Sequence, residues 1–511
     1  MLRIEYICHS CLHIDTGDTT IVLDPWFKGT AYKGQWYLFP QPVNTDMVYE
    51  TENILISHGH DDHLHEESLR AINKKARIFF PYQWRTGITE YLENIGFRKI
   101  TEAITFKSYR VSPSTTITYI GFSLESVIVI ECDGKVIVNL NDALNSHHEN
   151  VVKMFLREIK KRWPVIDYLF SGWSGAGYFP NTVHYKNKND REIGILREQY
   201  FANNFCRFVK FLEPERAIPF APGFALLAHD KRWINGVKFP RTEAEQYYRE
   251  NFDANTNVEF CIMQPGSYFE NEKFNKSSPY YTESKNDSLY HLLDKVFEKE
   301  IIAFNTEKTA DEKMAEDLKA RMEKILNYNS PLYSKTVLDD TSFTVILTDV
   351  KRNNCFNVDR LNESFVVKRS DKPSPGRKLH ISTTSRLLEF SFEREWGADA
   401  MTIGYGLDVE VFEELTLEKN LDIVCVRLLS LYPKATDNLI KQPFRSMKWL
   451  VTNPIMSALA IKQKLSLRAA VNKYPYNERD HWISYSKCDL CQVCNMPLLN
   501  KEFAEQLGES N

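Results

Sequence analysis

Cysteine is scarce. Ten in 511 residues cannot staple a chain of this size, which excludes a disulfide scaffold and points to a reducing compartment. No apolar run reaches the roughly 18 residues of a membrane span, and the opening Met-Leu-Arg-Ile-Glu-Tyr carries no signal-peptide apolar region. A cytoplasmic protein without membrane contact is expected. Excess charge of one sign is missing too. Lys and Arg number 64 against 68 Asp and Glu, a net charge of −4, too balanced for a nucleic-acid binder held by bulk electrostatics. There is no internal repeat and no long low-complexity tract. The glycine-rich run Ser171-Gly172-Trp173-Ser174-Gly175-Ala176-Gly177 lacks the P-loop Lys and the Rossmann spacing. It is either a phosphate cradle or a tight turn. What is abundant is apolar surface, 43% hydrophobic and 13% aromatic residues, which implies a folded chain with a large core.

The first 270 residues alternate short apolar runs with amphipathic stretches. Arg3–Tyr6, Leu12–Ile14, Ile21–Leu23, Ile54–Ile56, Arg77–Phe80, Thr116–Ile120, Val127–Glu131 and Lys135–Asn139 read as strands. Cys132-Asp133-Gly134 joins the last two as a hairpin. Glu149–Arg162 and Tyr200–Leu212 read as helices. Sheets covered by helices follow, an α/β (α+β) class. We place a first domain at 1–270, a linker at 271–287, a smaller α+β domain at 288–475 and a cysteine-containing tail at 476–511. In the second domain, Ala310–Leu326 is helical and Phe343–Leu347, Phe365–Lys368 and Lys378–Thr383 are strands, with residues 435–475 helical.

The chemistry concentrates in Ser57-His58-Gly59-His60-Asp61-Asp62-His63, directly after the apolar run Ile54–Ile56. A loop leaving a strand end can aim several side chains at one point. His58 and His60 can share one ion, and Asp62 and His63 can serve a second. Imidazole and carboxylate suit zinc, iron or manganese, and two neighbouring ions can clamp a substrate oxygen. The opposing reading is a solvated His-rich loop.

This H-x-H-x-D-H run resembles the metallo-β-lactamase superfamily. His9-Ser10-Cys11 and Leu23-Asp24-Pro25-Trp26 resemble the opening hairpin of its phosphodiesterase-like and lactonase-like branch. The resemblance implies an αββα sandwich. It implies Asp142, ending Val138-Asn139-Leu140-Asn141-Asp142, as the carboxylate between two metals, and His229, within Pro219–Asp230, as the last His ligand. The metal set is then His58, His60, Asp62, His63, Asp142 and His229, with Asp62 and His229 also catalytic. Asp142 as a helix cap, and His229 as a surface residue, are the plain alternatives. Asp24 reads as a structural carboxylate or one that orients a ligand, and His9 as a residue near the site. His65 reads as a helix-face residue, His147 and His148 as solvated, and His184 as a loop residue within reach of substrate.

From Ile4 to about Gly266, with a weaker continuation through Arg386–Gly406, the chain is similar to the metallo-β-lactamase part of the CMP-N-acetylneuraminate hydroxylases. Two departures stand out. The Rieske pattern C-x-H…C-x-x-H of those hydroxylases is missing. The family's further His ligand is missing as well, because no histidine occurs between His65 and His147. Glu125 either replaces it or is a surface carboxylate.

Cys488, Cys491 and Cys494 form C-x-x-C-x-x-C. Three thiolates at this spacing can converge on zinc or an iron–sulfur cluster with a fourth ligand, or they are free thiols. The other cysteines read as packing.

Three functions follow, in this order. The resemblance implies an iron-dependent oxygenase acting on a small molecule, with a nucleotide sugar as one candidate, served by an electron-transfer partner or by the cysteine tail. The second is a zinc or manganese hydrolase of a phosphodiester, lactone or amide that uses a metal-bound hydroxide. The third is a non-catalytic relative. One or two divalent ions, iron or zinc, are expected under the first two.

Overall fold

The computed structural model describes residues 2–454, less 84–86, 122–124, 146–148, 177–180, 186–189, 278–286, 307–309, 311, 395–396, 414–415, 417–420 and 431–442, together with 490–491 and 496–497. Two sheets face each other in the first half. One runs in the order Lys273–Asn275, Tyr268–Glu270, Arg3–Cys8, Cys11–Asp15, Thr20–Leu23, Asn53–Leu55, Arg77–Pro81, Lys99–Ala103. The other runs Glu259–Phe260, Arg216–Phe220, Tyr168–Gly172, Lys135–Asn141, Ser126–Cys132, Thr115–Gly121, Ser108–Arg110. Side-chain alternation builds the layers. Leu55 and Phe79 pack between the sheets with Ile128, Tyr168 and Phe220, whereas Ile54, Ile56, Ile78 and Phe80 face the opposite way. Tyr119 Oη donates across the gap to the carbonyl of Phe79 at 2.9 Å. Helices Glu149–Arg162 and Asp190–Leu212 cover the outer face of the second sheet. The expected αββα sandwich is there, and the eight strands expected in the first domain are all found.

A third sheet runs Val183–Tyr185, Leu407–Val411, Leu379–Thr383, Phe343–Leu347, Cys355–Leu361, Ser364–Ser370. Helices Glu312–Asn329 and Ser385–Glu393 pack on it. Two features tie it to the sandwich. Val183–Tyr185, from the first half, pairs in parallel with Leu407–Val411. The outer face of the first sheet and the core of the third form one buried cluster, from Ile7 and Ile54 to Val345 and Leu388. The segment expected as a linker begins as a strand. Lys273–Asn275 pairs with Tyr268–Glu270, and Phe274 lies 4.9 Å from Phe269 between ring centres. Of the helix expected over 435–475, Pro443–Thr452 is helical, and the remainder past Pro454 lies outside the described residues. Cys488 and Cys494 lie outside them as well, while Cys491 belongs to the short strand Leu490–Cys491, paired with Met496–Pro497. Among the described residues, no helix is long and apolar enough to cross a membrane.

A part-buried ionic cluster fastens the third sheet. His184 Nδ1 lies 2.7 Å from Asp190 and Nε2 lies 2.6 Å from Asp408. Lys231 Nζ also donates to Asp408 and to the carbonyl of Asn181. Burial acts to lower the His184 pKa, but the two carboxylates outweigh it and raise it to about 9. His184 is therefore an imidazolium at neutral pH. A raised pKa contributes stability in full below the unfolded value of about 6.5, lost as pH climbs through the folded value. The melting temperature should therefore fall more steeply between about pH 7 and 10 in the native chain than in His184→Gln. Parallel curves would remove this role.

Candidate metal centre

Strand Asn53–Leu55 ends at a loop whose geometry comes from elsewhere. Asp24, with a left-handed φ of 41°, accepts from the backbone N–H of Ser57 at 2.7 Å and from Asn141 Nδ2. Ser57 Oγ bonds His58 Nδ1 at 2.9 Å, and Ser126 Oγ donates to the Ser57 carbonyl at 2.6 Å. The backbone N–H groups of His63 and Leu64 then return to the His60 carbonyl at 3.0 and 2.8 Å, turning the chain so that Asp62 and His63 point inward.

Two groups of donors result, each with ligand atoms within 4.8 Å of one another: His9, Asp62 and His63, fully buried, and His58, His60 and Asp142, closer to solvent. They are contiguous. His63 Nε2 lies 3.2 Å from Asp62 Oδ2 and 3.5 Å from Asp142 Oδ2, and the His58 and His63 rings are 4.1 Å apart. Asp142 is 36% exposed and marks the mouth.

The histidine orientations are fixed from behind. Gly223 N–H donates to His9 Nδ1 at 2.9 Å, which leaves Nε2 facing Asp62 at 2.9 Å. A Cβ at Gly223 would lie 2.6 Å from the His9 backbone, so only glycine permits this approach. His63 Nδ1 meets Asp24 Oδ2 at 3.2 Å, the carboxylate–histidine pairing that orients a metal-bound imidazole. Its other nitrogen, Nε2, is buried and faces the carboxylates of Asp62 and Asp142. That atom, set between two carboxylate oxygens, fits a cation. So does the all-nitrogen-and-oxygen donor set, which suits zinc, iron or manganese.

Electrostatics agree. Burial acts to depress the His63 pKa, yet Asp62 and Asp24 raise it well above the ordinary value, and a divalent ion can take the place of that proton. Burial, with His63 and His60 alongside, pushes His58 well below the ordinary value, leaving the neutral imidazole that ligates. Burial opposes the charge on Asp62, but His63 and His9 hold its carboxyl well below the usual range. Tyr32 Oη donates to Asp62 Oδ1 at 2.5 Å. Burial and that carboxylate raise the tyrosine far above its ordinary pKa, so it remains a hydrogen-bond donor.

Aromatic rings enclose the buried side. Trp36 stacks on Phe224 at 3.6 Å and meets Tyr32 edge-on at 4.6 Å, while Trp26 lies 5.0 Å from His9. The second half reaches this wall. Tyr405 lies 5.7 Å from Trp36, and a Cβ at Gly404 would lie 2.6 Å from that of Tyr32.

Of the residues singled out in sequence, His58, His60, Asp62, His63 and Asp142 come together. His229 does not join either donor group and is exposed in the turn that follows strand Phe224–Leu226. His9, flagged only as near the site, sits within it, brought there by the hairpin Arg3–Cys8 and Cys11–Asp15. Tyr32 was missed, because nothing local in the sequence points it at Asp62. His65 is no helix-face residue. It caps helix Glu66–Ala71, accepting from Ser68 N–H at 3.3 Å. Glu125 is half-buried immediately before Ser126. His147 and His148 lie outside the described residues. The glycine-rich run is closely packed: a Cβ at Gly175 would overlap the Phe201 ring at 2.2 Å, and Trp173 Nε1 donates to the Phe239 carbonyl at 2.9 Å.

Residues 3–150 match the family described as the beta-lactamase superfamily domain. The cytidine monophosphate-N-acetylneuraminic acid hydroxylase of Danio rerio is 23% identical over 269 residues, 48% of this chain and 42% of the relative. The Homo sapiens relative, an inactive form of that hydroxylase, is 33% identical over 73 residues, 14% of this chain and 15% of its own. The chain thus spans less than half the length of the curated relatives it matches. Among solved structures, CmlA, a diiron beta-hydroxylase from Streptomyces venezuelae, is similar with a TM-score of 0.38 and 17% identity over 52% of this chain and 54% of its own. Igni18, a metallo hydrolase from Ignicoccus hospitalis, is similar with a TM-score of 0.34 and 16% identity over 53% of this chain and 98% of its own.

Proposed function

We propose that this chain, whose residues 3–150 match the beta-lactamase superfamily domain, is a metal-dependent oxygenase hydroxylating a small molecule. One observation carries the metal dependence: His9, Asp62 and His63 adjoin His58, His60 and Asp142 in one contiguous set of nitrogen and oxygen donors. Oxygenation over hydrolysis rests on the sequence similarity to the sialic-acid hydroxylases, and a nucleotide sugar is the candidate substrate on the same ground. His58, His60 and Asp142 would hold one ion, and Asp62 and His63 the other, while His9, whose Nδ1 accepts from Gly223 N–H so that Nε2 carries the proton, would donate to Asp62. Iron bound there would supply dioxygen activation. Electrons would come from a partner protein or from a centre at Cys488, Cys491 and Cys494.

The protein's own groups have defined tasks. Asp24 holds the His63 ring at a set angle through its contact with Nδ1. Gly223 does the same for His9. Tyr32 keeps one oxygen of Asp62 occupied, so that the other faces the donors. The aromatic wall excludes water from the buried side, and substrate approaches past His60 and Asp142. A second reading, hydrolysis with zinc or manganese, has the same donor chemistry in its favour.

Elemental analysis of protein expressed without added metal separates the two. Iron at about two ions per chain, with dioxygen uptake when a chemical reductant is supplied, is the expected result. Zinc alone, with no dioxygen uptake after iron loading, would replace the oxygenase by the hydrolase. Repeating the analysis on a Cys488/Cys491/Cys494 triple variant tests the tail, which should lower the iron content if it holds a centre of its own.

A further inference from the structure

Helix Asp190–Leu212 buries polar side chains where a core helix is normally apolar. Arg197, Glu198, Tyr200 and Asn204 are each at most 5% exposed. Each has a partner on one of two adjacent turns. Strands Lys135–Asn141 and Tyr168–Gly172 run parallel, so the turns that leave them lie side by side at the end where the metal donors gather. Arg197 donates to the Gly175 carbonyl and Ser174 Oγ donates to Glu198, which ties down the second of these turns. Tyr200 and Asn204 reach the first, the one that carries Asp142.

The link to Asp142 runs through one residue. Tyr200 Oη donates to the Asn145 carbonyl at 3.0 Å, and Asn204 Nδ2 donates to Asn145 Oδ1 at 3.3 Å. Asn145 Nδ2 in turn donates to the Asp142 carbonyl at 3.4 Å. Asn141 and Leu144 bracket this turn with left-handed φ values of 49° and 78°. Leucine rarely adopts that region, and such a backbone persists where its surroundings fix it. Asp142 itself lies past the strand end and is 36% exposed, with Oδ2 3.7 Å from His58 Nε2 and 3.5 Å from His63 Nε2. The turn therefore sets its place between the two donor groups.

We propose that Tyr200 and Asn204 are positioning residues for the metal centre, acting through Asn145 to keep the Asp142 carboxylate turned toward His58 and His60. This rests on the reading of Asp142 as a metal ligand and not on which reaction the metals support.

Competition for zinc between a chromophoric chelator and the full chain tests it. Tyr200→Phe removes one hydroxyl and keeps the ring, and Asn204→Leu removes the amide at similar volume. Each is expected to weaken the ion at His58, His60 and Asp142 by about tenfold, the lower end of what disturbing the residues around a ligand does. Neither should add to the loss seen in Asp142→Ala, because both act through that carboxylate. A merely structural role would lower the melting temperature of the metal-free protein and leave its zinc affinity native. Tyr200→Phe is the decisive variant if Asn204→Leu does not fold. Native zinc affinity in the folded variants, beside a weakened Asp142→Ala, would overturn the proposal alone, as would losses that add in full to that of Asp142→Ala. Native affinity in Asp142→Ala would overturn the ligand assignment and the proposal with it.

Discussion

Replacing Asp62 by alanine is expected to lower the metal content by about one ion per chain and to reduce turnover by about a thousandfold or more. The two oxygens of Asp62 meet three partners. One oxygen faces His9 and His63 at 2.9 and 3.2 Å, and the other takes the Tyr32 hydroxyl at 2.5 Å. Truncation leaves a buried hydroxyl and a buried imidazole without their partner, each a penalty of roughly 1–3 kcal/mol, so the melting temperature should fall as well. Asp62→Asn separates the two effects. Its amide oxygen still accepts from Tyr32, which preserves much of the stability, but its nitrogen cannot ligate. Metal content should therefore drop in both variants while stability drops mainly in the first. An Asp62→Asn protein with its full complement of metal would remove Asp62 from the centre.

Part of this site was legible because it is local. His58, His60, Asp62 and His63 lie within six residues at a strand end, and a loop of that length brings them to one place whatever surrounds it. Asp142 was legible through resemblance, at the end of a strand that hydrophobicity alone locates. The rest depends on pairings between distant segments. His9 reaches Asp62 because Arg3–Cys8, Cys11–Asp15 and Thr20–Leu23 are laid side by side before Asn53–Leu55 joins them, and spacing does not encode that register. Gly223 is 214 residues from the histidine it positions, and its role is a close backbone approach that leaves no trace in composition. The same holds for the fold. Long alternating runs such as Thr115–Gly121 declare themselves, whereas Val183–Tyr185 is three residues long and gives no sign that it belongs to a sheet completed by residues 407–411. His65 was misplaced because a helix cap and the first helix-face residue differ by one position, which hydrophobic periodicity does not resolve.

Asp24 offers the sharper test of how the centre is held, because it touches the ligands without joining either donor group. It is fully buried, and its carboxylate meets Ser57 N–H, Asn141 Nδ2 and His63 Nδ1 together. Asp24→Asn is the informative variant. Asparagine tolerates the left-handed φ of 41° about as well as aspartate does, so the backbone turn into Trp26 should survive. The amide keeps one acceptor for Ser57 but turns a donor or a weaker acceptor toward Asn141 and His63, so the imidazole loses the charge that orients it. Disturbing such a partner typically lowers metal affinity by about 10- to 100-fold. Competition with a chelator should therefore show weaker retention of the ion at His63, with the ion at His58 and His60 less affected. If Asp24 served the fold alone, the variant would melt earlier and bind metal as tightly as the native chain. Weaker binding at little loss of stability instead requires the carboxylate to act through His63.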